Sequence, residues 1–88
     1  AAPAPVQAKR KLSFKEKHAL ETLPREMDAL REKMGKLQTR LDDATLYVRD
    51  PKAFETATAE FVAAQEDLAR KEDAWLELEM LREELEGS

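Results

Sequence analysis

Cysteine is absent from the sequence, so neither a disulfide framework nor a thiolate metal site can form. That absence suits a reducing compartment. Only two glycines occur, Gly35 and Gly87, and neither belongs to a glycine-rich loop of the kind whose backbone cradles phosphate. So few glycines also argue against a strand-rich fold with many tight turns. Long apolar runs are missing too. The longest is the four residues Phe61-Val62-Ala63-Ala64, far too short to cross a bilayer. The basic cluster near the N-terminus has no apolar stretch behind it, which speaks against a secretory signal. A cytoplasmic, helical segment without membrane contact is expected.

Catalytic equipment is equally sparse. Nucleophilic catalysis wants Cys, or Ser/Thr beside a base, and the one histidine, His18, has no company that would make a triad. A metal site would have to be all carboxylate, and the acids lie at solvent-facing helix positions. The expectation is no enzyme, no cofactor and no metal in this segment.

What the chain does have is charge, at 39% of its 88 residues. The formal net of −4 hides a split between the halves. Residues 9–40 hold ten Lys/Arg against five acids, a net of +5, and residues 41–88 hold five against fourteen, a net of −9. Either the halves pair with each other, or the first half meets an acidic partner.

Organisation follows from punctuation and spacing. The opening "AAPAPVQA" has two prolines and no periodicity, so residues 1–11 read as a flexible basic linker tail attached to a longer protein. Ser13 with Glu16 three positions on makes a capping box for a short helix. Pro24 predicts a break near Leu23, with a new helix starting on the proline. Leu20, Leu23, Met27, Leu30, Met34, Leu37, Leu41 and Ala44 then recur at gaps of three and four. The same spacing returns in Phe54, Ala57, Phe61, Ala64, Leu68, Lys71, Trp75 and Leu78.

Between the two seams lies "LYVRDPKAF", where Asp50 suits a helix N-cap and Pro51 a first helical turn. The fold class is therefore all-α: an antiparallel two-helix coiled-coil hairpin over residues 12–86, with a short N-terminal helix before a proline break. Folding about residue 49 layers Leu41 on Ala57, Leu37 on Phe61, Met34 on Ala64, Leu30 on Leu68, Met27 on Lys71, Leu23 on Trp75 and Leu20 on Leu78. It also sets Arg40 beside Glu60 and Lys33 beside Asp67. The end of the second arm, through Leu78, Leu81 and Leu85, is expected to cover Phe14 and Leu20. An isolated domain of this kind is expected to be a monomer. Pairing with a second copy is the competing use of the same heptads.

Three stretches, "KLSFKEKHALETLPREMDAL", "YVRDPKAF" and "LARKEDAWLELEMLREEL", resemble the C-terminal domain of the ABC-F class of ATPases. The matching positions are Leu12 to Glu16, Leu23-Pro24, Tyr47, Asp50 to Phe54 and Trp75 to Leu78, and the resemblance spans about residues 11–86. The chain departs from that pattern before the tip aromatic, where Asp42-Asp43-Ala44-Thr45 replaces the family's frequent Asp-Pro. The resemblance implies an α-helical hairpin, appended by a basic linker to a pair of ATP-binding cassettes without membrane spans. It also implies DNA binding in such domains and ribosome association in the wider class. The parent would hydrolyse ATP, on cassettes that this chain does not include.

Candidate nucleic-acid contacts are Lys9, Arg10, Lys11, Lys15 and Lys17, where Glu16 is the only acid within nine positions. A helix start prefers acids, so local stability does not account for this placement. Phosphate contact does, giving affinity without sequence reading. Arg25, Arg31 and Lys36, on outer heptad positions without an evident cross-helix acid, extend the surface. Lys33 and Arg40 are assigned to the hairpin through their expected pairs. The partners implied are DNA, branched or duplex, or ribosomal RNA, together with the parent's cassettes. The alternative is a structural or protein-interaction hairpin that docks on the parent ATPase or the ribosome.

Overall fold

The computed structural model describes residues 11–87. Three helices follow one another: α1 (Phe14–Leu41), α2 (Leu46–Arg49) and α3 (Pro51–Gly87). The long pair α1 and α3 lie against each other over most of α1, and the four-residue α2 packs on the start of α3. Among the described residues there is no strand, and no helix is long and apolar enough to cross a membrane. The helical hairpin expected from the two seams is therefore the fold. Residues 1–10, which hold most of the expected linker tail, lie outside the described residues.

The start of α1 follows its sequence signal. The Ser13 hydroxyl accepts from the Glu16 N–H at 3.1 Å, and the Glu16 carboxylate accepts from the Ser13 N–H at 2.9 Å. Two of the donors that every helix start leaves unpaired are thus satisfied reciprocally.

Pro24 does not end this helix. The expected short first helix and the arm after the proline are one 28-residue helix with Pro24 inside it. A proline removes one backbone hydrogen bond and crowds the carbonyl four residues before it, a local cost of about 3 kcal/mol. The seam runs on either side through Leu20, Leu23, Met27 and Leu30, all buried or half-buried against α3. Burial on both flanks holds the helical register across the proline.

Gly35 is another weak point inside α1. A Cβ placed there would meet nothing within 4 Å. Gly35→Ala is expected to stabilise the hairpin by about 1 kcal/mol, read by urea denaturation, because alanine loses less backbone freedom on folding. A loss of stability would show that the open position has a role in packing.

The turn is built on two aspartates. Asp43 accepts from both the Thr45 N–H, at 3.0 Å, and the Thr45 hydroxyl, at 2.8 Å, with Arg49 at 3.5 Å. The Thr45 hydroxyl first, then its N–H, hold the Asp43 carboxyl below the usual carboxylate range. Asp50 then accepts from the Ala53 N–H at 3.1 Å as α3 begins on Pro51, the cap its sequence suggested. Leu46 is 5% exposed and plugs the end of the seam. Tyr47 meets Phe54 edge to face, with ring centroids 5.3 Å apart, yet 61% of it stays in solvent. Val48 points away almost entirely, so the expected fold-back of all three apolar residues is carried by Leu46.

Among the described residues the buried side chains are Met27, Leu37, Leu46, Ala57 and Ala64, four of the five in the half nearest the tip. Ala57 and Ala64, both buried there, are small enough to let the two helices approach closely. The remaining seam residues are half-buried, because a pair of helices with no third layer can cover only a stripe of each. Cross-arm neighbours fall where a fold about residue 49 puts them, within about one turn. Lys71 Nζ reaches Glu26 at 3.1 Å, and Leu37, Arg40 and Glu60 line one groove.

At the open end the expected cover of Phe14 fails. Phe14 is 87% exposed and stacks only on His18, at 6.5 Å. It sits one residue off the seam. Leu12 takes the inward place instead and lines a groove with Leu85.

Candidate nucleic-acid interface

The expected contact residues divide by helix face. Successive residues on an α-helix turn by about 100°, so positions three and four apart share a face. Lys15, Arg25 and Lys36 lie on the side of α1 turned away from α3. Lys17 and Arg31 lie on a flank beside it. Lys11 precedes the helix. All six side chains are exposed. Lys9 and Arg10, the first two residues of the expected cluster, lie outside the described residues.

Their electrostatic surroundings differ. Among the described residues, Lys11, Lys15, Lys17 and Arg25 form no ion pair. Lys11 and Lys17 nonetheless border acids of the far arm: both line a groove with Leu12, Leu85 and Glu86, and Lys17 shares a second with Glu79 and Glu86. Lys36 reaches Glu32 at 3.7 Å within its own helix. Arg31 is engaged on both sides, by Asp28 at 3.1 Å and by Glu72 of α3 at 3.3 Å. The expectation that Arg31 lacks a cross-helix acid is therefore corrected. Its long side chain leans along the flank and reaches a carboxylate about one turn beyond its layer partner.

Lys33 and Arg40 correct the expectation in the other direction. Neither forms an ion pair among the described residues, although both were assigned to cross-arm pairs. Asp67 is instead shared by Lys71 at 3.6 Å and Arg70 at 3.7 Å. Arg40 and Glu60 border the same groove without closing on each other. Lys71 explains part of this outcome. It occupies a seam position with its side chain 26% exposed, and its amine bridges Glu26 and Asp67. Glu26 first, with Asp67 adding, raises the Lys71 pKa above the usual lysine value. One seam lysine thus uses the acid expected for Lys33.

Among the described residues no group of histidine and carboxylate side chains could hold a metal ion. The surface offers point charges and hydrogen-bond donors on a rigid rod. Such a surface can hold polyanions.

A family model described as "ABC transporter C-terminal domain" matches residues 11–80. The chain belongs to this family. The chain is also 32% identical over 72 residues to "ATP-binding protein Uup" of Escherichia coli (strain K12). That alignment covers 82% of this chain and 11% of the relative, so the chain spans about a tenth of the relative's length. No solved structure matches the chain. The match places this ABC transporter C-terminal domain among the ABC-F-type C-terminal domains, as the residue motifs suggested. It corresponds to a small helical appendage and not to a nucleotide-binding cassette.

Proposed function

We propose that this domain is a nucleic-acid-binding accessory module of a cytoplasmic ABC-type ATPase. It binds DNA by phosphate-backbone contacts with little sequence preference, using the basic N-terminal segment, and holds the parent's cassettes near the bound strand. The observation that carries this reading is that Lys11, Lys15, Lys17 and Arg25 are exposed and, among the described residues, form no ion pair, on the arm that carries the positive charge. Cations at a helix start oppose the helix dipole. Their retention at the open end of the hairpin is explained by an external anion. Lys9 and Arg10 continue the cluster in sequence.

The test is a binding titration with duplex DNA, branched DNA and structured RNA across a salt series. It is repeated with Lys9, Arg10, Lys11, Lys15 and Lys17 changed to glutamine. Affinity is expected to fall steeply with salt, the logarithm of the binding constant dropping by about 0.9 per phosphate contact on duplex. The glutamine variant is expected to bind at least about tenfold more weakly with a shallower slope. Equal binding by both proteins would remove these residues from the interface.

A second reading has its own observation. Tyr47 and Val48 stand exposed at the tip, 61% and 81%, where a hairpin could dock on the cassettes or on a ribosome. It predicts no shift of any nucleic acid at low salt and a stable complex with a protein partner.

A further inference from the structure

On α1 the positions Lys15, His18, Thr22, Arg25, Ala29, Lys33, Lys36 and Arg40 follow one another at gaps of three and four, and so form one face. Five of the eight are Lys or Arg, and none is an acid. All are exposed except Thr22, which is half-buried. From Lys15 to Arg40 the face is about 38 Å long, from the 1.5 Å rise per residue. Of its five cations, only Lys36 makes an ion pair among the described residues. Acids border the face as well, among them Glu21 one turn before Arg25. Glu26 is turned to Lys71, Glu32 reaches Lys36, and Glu60 stands across the groove at a distance from Arg40.

From this juxtaposition we infer that the outer face of α1 is a phosphate-tracking stripe for double-stranded nucleic acid, and that Lys33 and Arg40 are contact residues in it. The inference rests on the nucleic-acid reading above and moves its centre from the N-terminal cluster towards the tip. The reason is electrostatic. At the open end Lys11 and Lys17 border Glu86 of α3, and Lys17 also Glu79, acids whose charge offsets theirs within a Debye length of about 8–10 Å. Towards the tip the far arm contributes less. There Lys33, Lys36 and Arg40 rim an open groove of about 330 Å³ floored by Ala29 and Leu37, with Glu60 as the acid the far arm adds to that lining and Glu32, paired to Lys36, as the acid from α1.

The small side chain of Ala29, between Arg25 and Lys33, leaves room for a backbone ridge to settle between flanking cations. A helical face of this length matches about one turn of B-form duplex, 34–36 Å, so it can meet phosphates on successive ridges. Cations spread along the whole length of the face suit contact with a phosphate backbone, which positions a duplex without reading its sequence. The partner is therefore a duplex recognised by its phosphodiester charge.

The experiment is a fluorescence anisotropy titration of the whole chain with a short duplex DNA, and in parallel a duplex RNA and a single strand, over a salt series. The double variant Lys33→Gln/Arg40→Gln is compared with the charge-matched Lys52→Gln/Arg70→Gln, whose cations sit on α3. Circular dichroism checks that both retain the helical content of the parent chain. The stripe variant is expected to lose about tenfold in duplex affinity and about 2 units of the log–log salt slope. The α3 variant is expected to stay within about twofold, since only diffuse charge is removed. The same loss is expected on duplex RNA, because phosphate is what is contacted.

If the parent chain binds duplex and the two variants weaken equally, the stripe is wrong while the proposed function stands. If the parent chain binds no nucleic acid at the lowest salt, the proposed function fails and takes the stripe with it. A stripe variant impaired on single strands alone also overturns the assignment.

Discussion

Leu37→Ala is expected to lower the melting temperature by about 10–25 °C, followed by the helical circular dichroism signal. Leu37 is 5% exposed and belongs to the layer that faces Phe61, in the best-packed half of the hairpin. Truncating a buried leucine costs about 2–5 kcal/mol, part lost transfer energy and part cavity. The lower half of that range applies here, since two helices without a third layer can close partway over a void. The effect is nonetheless large beside the total. A single core in a chain of this size rarely supplies more than about 3–5 kcal/mol, so one layer is a major share of the fold. Leu76→Ala is the control. Leu76 is 52% exposed on the outer side of α3, and its loss is expected to stay within about 0.5 kcal/mol. Equal melting shifts for the two would mean that the arms are not held by the seam.

The hairpin was legible because its signals are local. Apolar gaps of three and four specify a helix face whatever the rest of the chain does, and both arms show them. Ser13 with Glu16 and Asp50 with Pro51 announce helix starts through atoms two or three residues away. The charged groups were less legible for a physical reason. An exposed ion pair is worth about 0–1 kcal/mol, so a flexible cation chooses among several acids that differ by less than that. Asp67 could have served Lys33, and took Lys71 and Arg70 instead. Arg31, placed by spacing on an outer position, reached Glu72.

The same ambiguity concealed the acid-free face of α1. Spacing alone offers Lys33 and Arg40 acids across the seam as readily as it joins them to Lys15, Arg25 and Lys36 on one face. Phe14, expected to be covered by the end of the second arm, is 87% exposed because it lies one residue off the phase of the seam. On a helix a single residue turns a side chain by about 100°, enough to move it from the seam to solvent.

Pro24→Ala is expected to raise the melting temperature by about 5–15 °C. Pro24 lies inside α1, where it cannot donate to the Leu20 carbonyl and its ring crowds that group. An interior proline is about 3 kcal/mol less favourable than alanine in a helix. Two effects reduce the gain. Proline narrows the unfolded ensemble, worth about 0.4–1 kcal/mol, and the half-buried ring gives up some apolar contact when removed. A net stabilisation of about 1–2 kcal/mol remains, and it should appear without loss of helical signal. The alternative is that the proline sets the line of α1 so that Leu20 and Leu23 meet Leu78 and Trp75, all of them half-buried. Alanine would then straighten the helix at the expense of those layers, and the protein would melt lower. The fluorescence of Trp75, the one tryptophan, separates the cases. An unchanged emission maximum with a higher melting point supports a purely local backbone cost, whereas a red shift with a lower one assigns Pro24 to seating the open end of the hairpin.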